Sequence, residues 1–167
     1  MKESVDSAQE VVLRDALVPE DRAAIQTILQ STGFFNPAEI SIALELIDDG
    51  LDRQEDSEYR FMVAEASGHV VGYSCLGPVA CTVSSWDLYW IAVSPGTQGS
   101  GIGRRLVLAS EELARRHGAT RMYIDTAGRE QYVPTRAFYE RCGYGVAATF
   151  TDFYAPGDAK VVFLKVL

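Results

Sequence analysis

The stretch WDLYWIAVSPGTQGSGIGRRL, Trp86 to Leu106, constrains the fold more than any other part of the chain. An apolar run enters a loop with four glycines in eight residues, Gly96 to Gly103, and an arginine pair then opens an apolar helical pattern. Successive glycines at a strand-to-helix junction let backbone N–H groups approach a ligand, and the helix start adds unpaired donors and a partial positive charge. Such a junction is an anion site, most often for phosphates, or a turn needed only for chain geometry.

The rest of the chain narrows the setting. Its 167 residues suit one domain, 1–167, and 47% of them are apolar, enough for a sizeable core. Residues 1–10 have few apolar anchors and are expected to be loose. No apolar run approaches the roughly 20 residues needed to span a bilayer, and the start MKESVDSAQE is polar and acidic, unlike a secretion signal. Cys75, Cys81 and Cys142 are odd in number and lack metal-ligand spacing, so neither a disulfide framework nor a metal site is expected and a cytoplasmic location fits best. A net charge of −8 speaks against a general nucleic-acid binder and is compatible with solubility or with cationic substrates.

Periodicity orders the elements. Val11 to Leu13 reads as a strand and Pro19 to Gln30 as a helix. A second helix has Asn36 as cap, Pro37 at its first position and Glu39 closing a capping box, with its end expected at Asp49-Gly50. Strands Tyr59 to Glu65 and Val70 to Leu76 flank the tight turn ASGH, and the strand Asp87 to Val93 follows. The helix after the glycine loop spans about Gly101 to His117, with Glu111/Arg115 and Glu112/Arg116 expected as exposed pairs. Arg121 to Thr126, Val146 to Phe153 and Val161 to Val166 read as strands and Thr135 to Arg141 as a short helix. One strand-helix-strand crossover among hairpins implies an α/β fold with a mixed sheet and helices packed on it.

Three phosphate readings compete for the loop. A nucleoside triphosphate loop needs Lys then Ser or Thr at the helix start, but Arg104 and Arg105 follow Gly103. A dinucleotide fingerprint fits Gly99 and Gly101, with Asp125 ending the next strand, yet Arg104 occupies the third glycine position and Ser94 to Gln98 separate strand from motif. The third reading rests on QGSGIG, Gln98 to Gly103, which resembles the Gln/Arg-x-x-Gly-x-Gly/Ala signature of the GNAT superfamily of N-acetyltransferases. DLYWIAV resembles that family's fourth strand and TRAFYERCGY, Thr135 to Tyr144, its Ala-x-x-Phe-Tyr segment, in the right order. The likeness in element order runs from about Val11 to Leu167.

The resemblance implies a mostly antiparallel seven-stranded sheet, splayed after the fourth strand, with about four helices. It implies acetyl-CoA in the gap as cosubstrate, with no metal, and its pyrophosphate on Gln98, Gly99, Ser100, Gly101, Ile102, Gly103 and Arg104. The oxyanion donor is then a backbone N–H of the fourth strand, freed by a bulge near Ile91, Ala92 and Val93, and Thr126, Thr135, Phe138 and Tyr139 complete the cofactor set. Tyr139 matches the family's acid: a phenol with an ordinary pKa near 10 stays protonated and donates to the departing sulfur. Asp87 stands where some family members carry a catalytic Glu and is the candidate base, or else a solvated residue at a strand entrance. On an ideal strand Asp87, Tyr89, Ile91 and Val93 share one face. Glu65 and Asp152 are fallback carboxylates, and His69 and His117 are expected at the surface.

The sequence departs from the family at Tyr132, where an Asn is common, and at Thr135, in place of Ala, which is expected to cap its helix. Trp86, Tyr89, Trp90, Tyr132, Phe153 and Tyr154 are expected either at the acceptor end, for a cation or aromatic amine, or in the core. The function implied is acetyl transfer to a primary amine of a small molecule or a peptide or protein N-terminus. An acyl-CoA sensor without turnover is the alternative, and pairing of two copies, common in the family, makes a homodimer one expectation.

Overall fold

The computed structural model describes residues 10–167, and the segment expected to be loose lies almost wholly outside them. The strands are β1 (Val11–Arg14), β2 (Arg60–Ala66), β3 (His69–Pro78), β4 (Ser85–Val93), β5 (Arg121–Ala127), β6 (Gly145–Ala155) and β7 (Asp158–Val166). The helices are α1 (Asp21–Ser31), α2 (Pro37–Arg53), α3 (Ile102–Arg116) and α4 (Val133–Arg141). All seven strands form one sheet in the order β1-β2-β3-β4-β5-β7-β6, antiparallel except for β4 against β5. The fold is the mixed α/β sheet expected.

The parallel pairing is short: Ser85, Trp86 and Asp87 face Arg121, Met122 and Tyr123, and no register continues beyond them. Past Asp87 the two strands part, while β5 stays paired to β7 along its whole length. The sheet therefore opens into a V whose arms are the second half of β4 and the end of β5.

Two cores keep that V open. On one face α1 and α2 cover Phe61, Tyr73 and Cys75 with Ile25, Leu29 and Ile47. On the other, α3 and α4 cover Met62, Leu76, Met122 and Phe163 with Leu106, Val107 and Tyr139. Apolar residues removed from water on both faces at about 25 cal/mol per Å² set the sheet's position. Hydrogen bonding between strands sets only their register.

Several local expectations change. The Asn36 capping box forms, with reciprocal bonds of 2.9 and 2.7 Å to Glu39, but α2 runs through Gly50 to Arg53. A Cβ at Gly50 would lie 2.4 Å from the Phe61 ring, so this glycine admits a core aromatic and does not end the helix. Glu111 is not on an exposed face: it is 1% exposed, takes two 2.9 Å bonds from Lys165 and one of 3.1 Å from the Tyr144 hydroxyl. Lys165 also donates to Cys142 O, tying the end of α4 to β7. Arg116 bonds Asp15 instead of Glu112. The helix of Thr135 begins two residues earlier, at Val133, so Thr135 lies inside the first turn and does not cap it.

Candidate active site

Between the arms of the V lies a cleft of about 1220 Å³. Its floor is β4 from Leu88 to Val93, and the glycine loop, the end of β5, α4, the α1–α2 loop and the β6–β7 hairpin form its walls.

A bulge shapes the floor. Cys75 pairs with Trp90 and Leu76 with Leu88, leaving Tyr89 as the extra residue of β4. Residue parity changes there: Trp86 and Leu88 lie in the α3-side core, whereas beyond the bulge Ile91 and Val93 take that side and Trp90 and Ala92 face α1 and α2. Asp87 thus shares its face with Trp90 and Ala92, not with Ile91 and Val93. Ser94 N–H donates to Val71 O at 2.7 Å on the β3 side. Antiparallel alternation from that bond turns the N–H groups of Ile91 and Val93 toward the gap that β5 has left.

The glycine loop supplies a second set of donors. Gly99 and Gly101 have φ of +83° and +82°, the left-handed region that a side chain resists. Gly101 is the cap of α3, and the first bond inside that helix is Arg105 N–H to Gly101 O at 3.1 Å. The N–H groups of Ile102, Gly103 and Arg104 are left aimed out of the helix start, with the helix dipole behind them. Gly103 brings its backbone against Phe138, whose ring would lie 3.4 Å from an added Cβ. Arg104 lines the cleft, and its side chain also reaches Arg141 O at 3.4 Å. Arg105 turns away, to Val11 O at 2.8 Å.

Tyr139 is 5% exposed, packed among Phe138, Tyr144 and Phe163 at 5.4 to 6.3 Å between ring centroids. It lines the cleft, and among the described residues its hydroxyl has no hydrogen-bond partner. Burial pushes its pKa well above the ordinary value, so the phenol holds its proton. Thr126, Thr135 and Phe138 also line the cleft.

Asp87 is not among the residues that line the cleft. It is partly buried, and its pKa is pushed up to about 6, first by loss of water and then by the charge of Asp125, against the opposing pull of Lys160. Asp125 does line the cleft and is bonded to Lys160 at 2.5 Å. The sequence pattern draws no attention to Asp125 in this role, because the strands part after Asp87 and only the register Asp87↔Tyr123 shows the two carboxylates on one face. Ser100 also lies outside the cleft lining, its hydroxyl turned back to Thr97 O.

The other candidates separate clearly. Glu65 bonds Arg14, which also holds the buried Asp21, far from the cleft. Asp152 lies at the irregular end of β6, with φ +53°, and accepts from Gly157 N–H at 2.7 Å, which gives it a structural role in the hairpin. His117 stacks on Trp86 at 5.6 Å, and Trp86 is buried in the α3-side core, so neither belongs to the acceptor end. Tyr89, Trp90, Tyr132 and Tyr154 do line the cleft, while Phe153 lies outside it beneath Lys160 at 4.9 Å. Among the described residues no group of three or more His, Cys, Asp or Glu is arranged to hold a metal, and no helix is long and apolar enough to cross a membrane.

The Acetyltransferase (GNAT) family profile matches residues 23–144, most of the chain and all of the strand-loop-helix that forms the cleft floor. The chain belongs to the GNAT family of acetyltransferases. The IAA acetyltransferase of Azospirillum brasilense is 30% identical over 167 residues, covering 98% of this chain and 99% of that one. A solved GNAT-family chain from Desulfovibrio desulfuricans superposes with a TM-score of 0.91 at 37% identity, over 94% of this chain and 99% of that one. The PaiA N-acetyltransferase of Thermoplasma acidophilum, solved with coenzyme A, shares the fold at a TM-score of 0.74 and 18% identity, over 95% and 99% of the two chains. The streptothricin acetyltransferase of Streptomyces lavendulae matches at 25% identity, but only 55% of its own length is covered. This GNAT chain is accordingly an acyl-CoA-dependent acetyltransferase with a splayed seven-stranded sheet.

Proposed function

We propose that residues 10–167 form one N-acetyltransferase unit that takes its acetyl group from acetyl-CoA and transfers it by direct attack of a primary amine. The observation that carries this reading is the placement of two separate donor sets in one cleft. The helix-start N–H groups of Ile102 to Arg104 suit a pyrophosphate, and the β4 N–H groups of Ile91 and Val93 suit an oxyanion. A dinucleotide site has no use for the second set.

Acetyl-CoA supplies a thioester whose acyl carbon accepts the amine with loss of the thiolate. The nitrogen–carbon bond forms as the carbon–sulfur bond breaks, and the chain's residues handle the charge and the two protons. Ile91 and Val93 N–H groups stabilise the transient oxyanion, with fixed dipoles that need no reorganisation. Tyr139 gives its proton to the departing sulfur and regains one from the nitrogen, which sheds its second proton as the amide forms; burial keeps the phenol protonated beforehand. The ammonium proton passes to Asp87, through water or by way of Asp125, since Asp125 and not Asp87 lines the cleft. A carboxyl held at about 6 is a better base at neutral pH than an ordinary aspartate, and ionised often enough to act.

Thermal denaturation with CoA, acetyl-CoA and NAD tests the cofactor part. Acetyl-CoA at a hundred times its dissociation constant raises stability by about 2.7 kcal/mol, several degrees in Tm, whereas NAD leaves Tm unmoved. A response to NAD and none to either CoA species contradicts the reading.

A further inference from the structure

The acceptor half of the cleft contains a cation that the donor half does not need. Arg104 and Arg141 line the end beside the glycine loop, whereas Arg129 lines the opposite end, between β5 and α4. Its Nε bonds Asp158 at 3.0 Å, and its guanidinium lies 5.4 Å from the centre of the Tyr132 ring. Tyr132 is itself fixed by a 3.2 Å bond to Phe34 O and an edge contact with the Phe34 ring at 5.5 Å. The loop beneath is tied down too, because Arg136 donates to Ala127 O at 2.7 Å and to Arg129 O at 3.1 Å. Among the described residues Asp158 and Tyr132 are the side-chain partners of the Arg129 guanidinium, and half of the Arg129 side chain stays exposed.

We infer, on the basis of the acetyltransferase reading, that Arg129 receives a carboxylate of the acceptor, so that the acceptor class is the free amino acids. A guanidinium held at Nε and by an aromatic face presents its outer N–H pair as a planar fork, which matches the two oxygens of a carboxylate. Asp158 is 7% exposed and pairs with Nε through one oxygen, which favours one orientation of the guanidinium before the acceptor arrives and lowers the ordering cost of binding. It also cancels much of the net charge of Arg129, so recognition rests on the geometry of two hydrogen bonds more than on long-range attraction. The neighbouring Phe34, Trp90 and Tyr154 offer apolar and aromatic surface for a side chain. A peptide N-terminus or a polyamine has no carboxylate beside its amine and leaves the fork unsatisfied.

Matched acceptors test this. Free amino acids, their carboxamides and the corresponding decarboxylated amines are offered with acetyl-CoA, and thiol release is followed. For the best amino acid, kcat/KM exceeds that of its carboxamide by about 10- to 100-fold, the worth of a charge-assisted pair. Arg129→Gln brings that ratio close to one, mainly through a raised KM for the acid, and Arg129→Lys restores part of it, which a misfolded variant cannot do. Calorimetric titration of the amino acid and its carboxamide into the CoA-loaded protein gives the same ranking without turnover. Equal use of acids and carboxamides, a preference that survives Arg129→Gln, or thiol release only with amines that lack a carboxylate overturns the inference while leaving the acetyltransferase reading intact. Thiol release with no acceptor of any kind contradicts that reading as well.

Discussion

Two residues carry most of the proposed chemistry, and their environments predict different behaviour. The Tyr139 hydroxyl sits unpartnered in a packed aromatic cluster, so Tyr139→Phe is neutral to slightly stabilising while kcat falls about 100-fold, with acetyl-CoA affinity nearly unchanged. Asp87 is costly to the fold. Its carboxyl has an ordinary value near 3.9 when unfolded and about 6 in the folded protein. The folded state therefore keeps the proton over that interval, and the stability contribution of Asp87 declines as pH rises from about 4 to about 6 and stays lost above. Asp87→Asn raises stability above pH 6 on the order of 1 kcal/mol, after allowance for partial exposure, and leaves it unchanged near pH 4. The same substitution slows turnover and removes the fall in kcat/KM below pH 6. Equal pH–stability curves for both proteins contradict the assignment. Tyr139 was legible because it sits in a motif; Asp125 was not, because its relation to Asp87 exists only through strand register.

At the level of elements, the glycine loop and the bulge divide the work. The loop's role was legible from Gly99, Gly101 and the helix that follows, since a left-handed cap needs glycine and a helix start needs an anion or water. Gly101→Ala is expected to cost about 1–2 kcal/mol in backbone strain and to weaken CoA binding about tenfold. Titration calorimetry checks the second figure, and unchanged affinity counts against a role for the loop in phosphate binding. A bulge in the fourth strand was implied by the resemblance, but its position was not legible. Nothing in DLYWIAV marks Tyr89 as the extra residue, because apolar residues occupy successive positions and alternation of polarity is absent. That single insertion overturns the expectation that Asp87 and Ile91 share a face. Gly50 misled for a related reason: in sequence a glycine signals a helix end, whereas here its missing side chain makes room for Phe61.

At the scale of the whole molecule, the fold class and the order of elements were readable from periodicity, and the splay was implied by resemblance. The V is framed by α1 and α2 on one face of the sheet and α3 and α4 on the other, with α4 set against β7, while β5 follows β7 away from β4. A cleft at that parting has donors from backbone on its floor and donor-side wall, and its specificity resides in side chains from the α1–α2 loop, the β5–α4 loop and the closing hairpin. Sequence alone describes the shared floor better than these walls, which come from segments far apart in the chain. The cleft is joined to turnover through Tyr139. That link is tested most directly by thiol release from acetyl-CoA across a panel of primary amines, for the wild-type protein and for Tyr139→Phe. One thiol released per amine acetylated, with the variant about 100-fold slower and its acetyl-CoA affinity nearly intact, is the predicted result. Tight binding of acetyl-CoA with no thiol release to any amine would contradict it and leave a sensor in place of an enzyme.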